Sequence, residues 1–258
     1  MTRFFVNSAY NEGKDRYNHM KKTPLLFLFC LTASLLTGCG NDPRSRVSYK
    51  EATKEEFDTY YTGQKVSDAK DAFNKRGAFY FVCDQNSSEF TYHLERYFDL
   101  QYYYEFADIK EGEETQKSHE LYIGDDNAEN CHMYTVDGEK QRVKDGNEAL
   151  IDFTERTTYD RQMITKSIEN PLNILEEYME TDNVTYYVGS NNTLKVSVSG
   201  DSEGTKTKGS VTVDKDTLLI YSVNIEVTYD KGTANVSYVF SYPSTFSHKT
   251  PKDIGFNA

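Results

Sequence analysis

Residues 90–106 read FTYHLERYFDLQYYYEF, and they give the strongest structural signal in the chain. The even-numbered positions are apolar or aromatic except for Arg96, whereas most of the odd-numbered positions are polar. Side chains of a β-strand point alternately to its two faces, so this pattern predicts a strand with one apolar and one hydrated face. At about 3.3 Å per residue the stretch would extend about 56 Å, far beyond a typical strand. It must therefore bend, bulge or break near Arg96 to Asp99, and because it contains no Gly, Pro or Asn to mark a tight hairpin, we expect one long curved strand.

Helical patterns lie on both sides of this stretch. Thr53 and Glu56 fit a capping box, and residues 145–168 and 170–179 carry the apolar spacing of amphipathic helices. Shorter strand patterns separated by turn residues fill most of the rest, at 120–123, 131–136, 184–188, 194–198, 210–213, 218–229 and 234–242. The last five make an antiparallel meander. The predicted fold is α+β: a curved antiparallel β-sheet packed on an N-terminal helix and central helices, in a single domain of residues 49–258.

The charge of the chain excludes one class of partner. The 258 residues carry 29 Lys and Arg against 41 Asp and Glu, a net charge of −12. The first 38 residues hold five of these bases and two of these acids, so the remaining 220 residues carry 24 against 39, or −15. A surface of that sign repels phosphate backbones, so we expect no nucleic-acid partner.

The N-terminal segment has the three parts of a secretory signal peptide. Met20 is followed by two lysines, residues 25–36 are mostly apolar, and Gly38 precedes Cys39. The apolar run is too short to span a bilayer, which takes roughly 20 residues. We therefore predict that residues 1–38 are an export segment, with the signal peptide at 20–38 and translation starting at Met20.

The end of this segment resembles a known processing site. Leu36-Thr37-Gly38-Cys39 is similar to the lipobox of bacterial lipoproteins. The resemblance implies that the thiol of Cys39 carries a diacylglyceryl group, and that Cys39 becomes the first residue of the mature protein. It also implies a lipid anchor on the extracytoplasmic face of a bacterial cell membrane, with residues 39–48 as a polar tether.

Two cysteines remain after export. Cys30 leaves with the signal peptide and Cys39 takes the lipid, so Cys83 and Cys131 are left. In an exported protein such a pair suggests one disulfide. The alternative is two buried free thiols on separate strands, because each cysteine lies in an apolar strand pattern.

The order of helix, strands, helices and strands resembles the half-open barrel of LolA- and LppX-type lipoproteins. The residues SVTVDKDTLLIY at 210–221 look like the late hairpin of that group, with a strand ending in Asp, a polar turn and an apolar restart. The resemblance covers about residues 49–242. It implies a curved sheet around central helices, with an acyl chain or lipidated protein bound between them.

One set of residues is the candidate apolar groove, namely Phe98, Leu100, Tyr102, Tyr104 and Phe106. If the strand is continuous, these side chains share one face, where they form either a groove or the core of a sheet-on-helix sandwich. Tyr97 and Tyr103 would then lie on the opposite outer face and could serve a protein interface, in which Tyr is enriched.

Catalytic signals are weak. The chain has no Gly-x-Ser-x-Gly elbow and no nucleotide-binding loop. His93 beside Glu95 fits a solvated contact, and His119, Glu120 and His132 could meet only if their strands pair suitably. The acidic residues 125–129 lack the ligand spacing of an EF-hand. We therefore predict no enzyme, metal or cofactor, and expect a non-enzymatic binding domain for a lipid or other apolar ligand. The alternative is a structural or protein-interaction module with a closed core.

Overall fold

The fold is seen in a computed structural model of the chain. It describes residues 47–76, 78–87, 90–125, 130–176, 183–202, 204–230, 232–244 and 246–257. The export segment and Cys39 lie outside these described residues.

Within the described ranges, twelve strands form one antiparallel sheet. They are β1 (Tyr49–Ala52), β2 (Phe79–Asn86), β3 (Phe90–Phe98), β4 (Tyr102–Glu111), β5 (Glu114–Gly124), β6 (Cys131–Asp137), β7 (Lys140–Asp145), β8 (Asn183–Gly189), β9 (Thr193–Ser202), β10 (Thr205–Asp214), β11 (Ile220–Tyr229) and β12 (Gly232–Ser241). Their order across the sheet is β1-β8-β9-β10-β11-β12-β2-β3-β4-β5-β6-β7. The sheet is open, with β1 and β7 at its edges, and the predicted meander is confirmed as β8 to β12.

The helices pack on one side of this sheet. They are α1 (Lys54–Asp58), α2 (Gly63–Arg76), α3 (Asn147–Glu169) and α4 (Asn173–Glu176). The capping box at Thr53 and Glu56 is present at the start of α1. Helix α3 contacts α2 and strands β5, β6, β7 and β11, whereas α1 contacts β8 and α4 contacts β10. At 1.5 Å per residue α3 is about 33 Å long, enough to lie across several strands. Side chains from all four helices join one core with the inner faces of the strands.

The expectation of one continuous strand over residues 90–106 is wrong. The stretch folds as the hairpin β3–β4, with residues 99–101 as the turn and Leu100 71% exposed. The carboxylate of Asp99 accepts a hydrogen bond from the backbone N–H of Gln101 at 2.9 Å, and Asp99 N–H donates to the carbonyl of Tyr102 at 2.8 Å. Aspartate thus supplies the turn chemistry that we sought from Gly, Pro or Asn, because its short side chain bonds the backbone two residues on.

The three-residue turn reverses the alternation. Phe98 pairs with Tyr103, so the even positions of β3 share a face with the odd positions of β4. Phe98 and Tyr103 are buried on the helix side, whereas Tyr97, Tyr102 and Tyr104 belong to a second cluster on the outer side. The C-terminal residues 246–257, which include a short 3-10 helix (Pro251–Ile254), cover part of that outer cluster.

Candidate functional site

The five residues of the predicted groove do not come together. Phe98 packs on the helix side, Leu100 lies in the exposed turn, and Tyr102, Tyr104 and Phe106 lie on the outer side. The cause is the turn at 99–101, which changes the phase of the alternation between β3 and β4. For the same reason Tyr103, expected on the outer face with Tyr97, is fully buried on the helix side, opposite to Tyr97.

The inner face of this hairpin carries a buried charge network instead. Arg96 on β3 donates from Nε to the carboxylate of Glu105 on β4 at 2.8 Å, and from Nη1 to Asp160 on α3 at 2.8 Å. The guanidinium also contacts the face of the Phe81 ring, with 5.2 Å to the ring centroid. The hydroxyl of Tyr103 donates to Glu105 at 2.9 Å. Arg96 therefore joins two strands of the hairpin to the central helix.

A second arginine completes the network from the helix. Arg156 lies one turn before Asp160 on α3, and its Nη2 forms an ion pair with the carboxylate of Glu120 on β5 at 2.9 Å. The guanidinium lies 5.7 Å from the ring centroid of Tyr103 and 5.6 Å from that of Tyr122, which suits a cation–π contact. Three carboxylates thus face two guanidinium groups across the helix–sheet interface. We refer to Arg96, Glu105, Glu120, Arg156 and Asp160 as the buried charge network.

The pKa values of the buried carboxylates reflect their burial and the presence of three carboxylates against two guanidinium groups. Burial raises the pKa of Asp160 to about 6, against the opposing effect of Arg96. Its Oδ2 has no hydrogen-bond partner among the described residues. Glu105 is also penalised by burial, but Arg96 and Arg156 outweigh that penalty and hold its pKa below the ordinary value. Of the two carboxylates that Arg96 binds, Asp160 therefore takes up a proton more readily than Glu105.

The sequence contains only one local indication of the buried charge network. Arg96 is the single charged residue among the even positions of residues 90–106. Arg156 and Asp160 stand four residues apart, the spacing of neighbours on one helix face, but such pairs are more often solvated. Glu105 lies on the same face as Arg96 because residues 99–101 form the turn of a hairpin, in which Arg96 pairs with Glu105.

The outer side of the hairpin is covered by residues 246–257, which we call the C-terminal strap. Phe246 stacks on Tyr97 with 3.7 Å between ring centroids, and His248 stacks on Tyr102 at 4.1 Å. The carboxylate of Asp99 accepts from the Tyr97 hydroxyl at 3.0 Å and lies 2.7 Å from Nε2 of His248. The strap is thus held by the same turn that makes the hairpin.

Tyr102→Phe should loosen the C-terminal strap. The Tyr102 hydroxyl accepts from the backbone N–H of Lys249 at 2.8 Å and donates to its carbonyl at 3.3 Å. Losing these hydrogen bonds should cost about 1 kcal/mol and speed amide hydrogen exchange in residues 246–257. Tyr187→Phe, at a half-exposed ring on β8, is the matched control and should leave that exchange unchanged. If the strap were equally protected from amide hydrogen exchange in the Tyr102→Phe variant and in the wild type, the Tyr102 hydroxyl would not be holding it.

The predicted disulfide is not formed. Cys83 lies on β2 and Cys131 on β6, and both are buried free thiols. Three strands separate β2 from β6, a distance of about 19 Å at the usual strand spacing, whereas a disulfide needs Cα atoms within about 7 Å. Burial raises the pKa of the Cys83 thiol to about 12 and that of Cys131 to about 11. The alternative of two separate buried thiols is the one the structure contains.

The histidines do not form a metal site in the described part of the chain. His93 lies between two carboxylates, with Nδ1 2.7 Å from Asp84 and Nε2 3.3 Å from Glu95. The carboxylates lie on different nitrogens of the ring, so they cannot share one ion with it. Despite the opposing effect of burial, they raise the pKa of His93. No group of three or more His, Cys, Asp or Glu side chains suited to a metal ion occurs among the described residues.

The proposed approach of His119 and His132 does not occur. His119 pairs with Val136, and His132 pairs with Ile123, so the two imidazoles lie four residues apart along β6. His119 stacks on Phe106, whereas His132 contacts Asp145 at 2.7 Å. Glu120, the third residue considered as a metal ligand with these histidines, points to the helix side and forms an ion pair with Arg156. Residues 126–129 of the acidic loop lie outside the described residues.

Comparison with known proteins adds no family. No protein-family model matches the chain, and no curated protein matches it. None of the helices in the described ranges is long and apolar enough to cross a membrane.

Proposed function

We propose that this chain is a bacterial lipoprotein held at the extracytoplasmic face of the cell membrane by diacylated Cys39. Its folded domain is a non-enzymatic interaction module that binds its partner on its surface. The lipobox-like Leu36-Thr37-Gly38-Cys39 after a basic start and an apolar run supports the anchor. Two acyl chains give stable anchoring, whereas a single chain would be marginal.

The buried charge network is the observation that favours a surface partner. The interior beneath the β3–β4 hairpin is filled by Arg96, Glu105 and Asp160, all largely or fully buried. An acyl chain placed there would have to lie against ionised groups, which is unfavourable because such groups need polar partners. The residues suggested for an apolar groove are divided between the two faces of the sheet. An interaction surface on the outside of the domain therefore fits these side chains better than a lipid cavity under the hairpin.

A lipid or other apolar ligand remains a second candidate, at a different place in the fold. Strands β9 to β12 have an apolar inner face in the core, where α4 contacts β10 and α3 contacts β11; it is formed by Val196, Val198, Val211, Val213, Val223, Ile225 and Val236. An open sheet with helices on one side also agrees with the half-open barrel of the LolA and LppX type. Fold likeness alone does not assign a ligand.

Native mass spectrometry separates the two candidates. The protein is extracted from its bacterial host and sprayed from mild detergent under conditions that keep lipids bound. A mass equal to the lipidated chain alone supports the surface module. A stoichiometric additional lipid that survives detergent exchange would support the apolar-ligand candidate.

Cys39→Ala should abolish anchoring. Without the thiol no diacylglyceryl group can be attached, so the variant should either appear in the soluble fraction or accumulate as an uncleaved precursor. The measurement is membrane fractionation with detection of the chain by mass. Cys30→Ala, within the apolar run, is the matched control and should remain on the membrane at its mature size. Unchanged membrane retention of mature Cys39→Ala would disprove the lipid as the anchor.

A further inference from the structure

The tether joins the fold at one end of the sheet. Ser48 N–H donates to Oγ of Ser190 at 3.1 Å, and Ser190 N–H donates to the carbonyl of Ser48 at 2.9 Å. Tyr49 then pairs with Gly189. The first described residues therefore lie beside the β8–β9 turn.

Two further segments meet at this end. The backbone N–H of Lys215, in the β10–β11 turn, donates to the carbonyl of Asn192 in the β8–β9 turn at 2.8 Å. The ammonium group of Lys65, near the start of α2, donates to the carbonyl of Lys215. The two turns and the start of α2 thus form one continuous rim next to the tether.

Three lysines on this rim lie against three tyrosines. Lys195 is 5.3 Å from the ring centroid of Tyr49 and 5.5 Å from that of Tyr187. On the helix side of the rim, Lys65 and Lys215 are 5.9 Å and 5.3 Å from the ring centroid of Tyr60. We name these residues the tether-side rim: Tyr49, Tyr60, Lys65, Tyr187, Lys195 and Lys215.

The lysines of the tether-side rim are not neutralised by close carboxylates. None of the three has an ion-pair partner within 4.0 Å among the described residues. The two carboxylates of the β10–β11 turn are engaged by neighbours: Asp214 accepts from Thr217 N–H at 2.7 Å, and Asp216 accepts from the side-chain amide of Asn192. The ammonium groups of the rim are therefore available to an external anion.

The opposite end of the sheet carries exposed glutamates. By the antiparallel order of the strands, the β4–β5 turn lies at the end away from the tether. That turn carries Glu111, Glu113 and Glu114, all exposed. The tether-side rim thus gathers three lysines and three tyrosines beside Asp214 and Asp216, whereas the β4–β5 turn carries three glutamates next to Lys110.

We propose that the tether-side rim rests on the anionic headgroups of the membrane in which Cys39 is anchored. This inference depends on the proposed lipid anchor. Residues 39–46 can span at most about 28 Å, so the rim is the part of the fold that the tether holds nearest to the bilayer. Tyrosine is enriched at membrane–water interfaces, and lysines near the surface are attracted to anionic lipids. The domain therefore stands on the membrane with its β4–β5 turn pointing away.

Fluorescence quenching tests this orientation, because the chain contains no Trp. Single tryptophans are introduced as Tyr187→Trp on the rim and as Tyr229→Trp at the far end of β11. Each full-length lipidated chain is reconstituted into vesicles of phosphatidylcholine and phosphatidylglycerol in equal parts, containing a headgroup nitroxide lipid. We expect strong quenching of Tyr187→Trp and none of Tyr229→Trp. Equal quenching at the two sites would overturn the proposal.

Charge removal tests the role of the lysines. Each lysine near an anionic surface favours contact of the domain with that surface by roughly fivefold. Replacing Lys65, Lys195 and Lys215 together by Gln should therefore shift the equilibrium about a hundredfold toward the domain that does not touch the membrane. Quenching of Tyr187→Trp should then be lost, as it should in vesicles of phosphatidylcholine alone. Replacing Lys110, Lys140 and Lys206 by Gln, at the far end, is the control and should leave quenching intact. Quenching that survives both the rim replacement and the neutral vesicles would overturn the proposal.

Flotation of the same vesicles separates this inference from the proposed function. If the chain floats with the vesicles but its rim is not quenched, the anchor stands and the orientation is wrong. If the chain carrying Cys39 does not float at all, the proposed anchor itself fails.

Discussion

Arg96→Met is expected to destabilise the domain by about 3–5 kcal/mol, the typical cost of removing one partner from a buried ion pair. The side chain of Arg96 is only 11% exposed and binds Glu105 and Asp160 at once. Methionine fills a similar volume, but it leaves two buried carboxylates with Arg156 as the remaining cation of the network. The result is measured as the free energy of unfolding from denaturant titration at pH 7.5, where both carboxylates are largely ionised.

Two controls show whether charge is the cause. Arg142→Met removes an exposed arginine from the edge strand β7 and should cost less than about 0.5 kcal/mol. Adding Glu105→Leu and Asp160→Leu to Arg96→Met replaces the ions by apolar groups and should recover most of the loss, since such replacements are often neutral or better. A loss of under about 1 kcal/mol for Arg96→Met alone would mean that the ion pairs do not hold α3 to the hairpin.

The second large effect is a dependence of stability on pH between about 4 and 7. Burial raises the pKa of Asp160 from its ordinary 3.8 to about 6, so the folded domain binds a proton that the unfolded chain releases. The stabilisation from that proton is complete below pH 3.8 and is lost as the pH rises through about 6. At about 1.36 kcal/mol per pKa unit it amounts to about 3 kcal/mol in total, of which roughly half is lost between pH 5 and pH 7.5.

The pKa of Glu105 is lowered, so its contribution has the opposite sign. Its stabilisation is present above pH 4.5 and is lost as the pH falls through its folded value. The combined contribution of Asp160 and Glu105 should therefore be largest between about pH 3.8 and pH 4.5, and it should fall as the pH rises from there to about 6. Arg96 and Tyr103 keep their charge states through this range, because the pKa of each is raised above an ordinary value that is already basic.

Asp160→Asn isolates the proton-binding group. The amide keeps the size of the side chain and its oxygen can still accept from Arg96, but it does not titrate. The difference in unfolding free energy between the variant and the wild type should vary by about 1 kcal/mol from pH 5 to pH 7.5, with the wild type relatively weaker at the higher pH. His93 also titrates in this range, but it is unchanged in both proteins and cancels in the difference. A difference that does not vary with pH would show that Asp160 is not the titrating group.

The second half of the sheet could be predicted from the sequence because its turns carry strong signals. Asn191-Asn192 and the Asp214-Lys-Asp216 turn separate runs with clear alternation, and all five predicted strands of that half are present as β8 to β12. Asn191 and Asn192 adopt positive φ values of 57° and 60°, which Asn tolerates better than most residues. Strand β7 was missed, because all six of its residues are exposed and it has no apolar face to give a period.

The site could not be predicted because it depends on one turn. Asp99-Leu100-Gln101 contains a single turn-forming residue, Asp99, yet its three residues decide which face Tyr103 and Glu105 occupy. A one-residue change of phase moves every following side chain to the other side of the sheet. The reading of 90–106 as one strand therefore placed Tyr103 outside and Tyr102 inside, the reverse of what the hairpin gives. The ion pair between Arg96 and Asp160 of α3 joins residues 64 positions apart in sequence, beyond any local pattern.

Both the proposed function and the proposed orientation depend on the lipid anchor. The mass of the N-terminal tryptic peptide tests that anchor most directly. The chain is purified from the membranes of its host, digested with trypsin and delipidated only after peptide separation. We predict a peptide of residues 39–44 that begins at Cys39 and carries a diacylglyceryl group on the thiol. An unmodified peptide of residues 23–44, with the apolar run still attached, would show that the chain is neither cleaved before Cys39 nor lipidated on it.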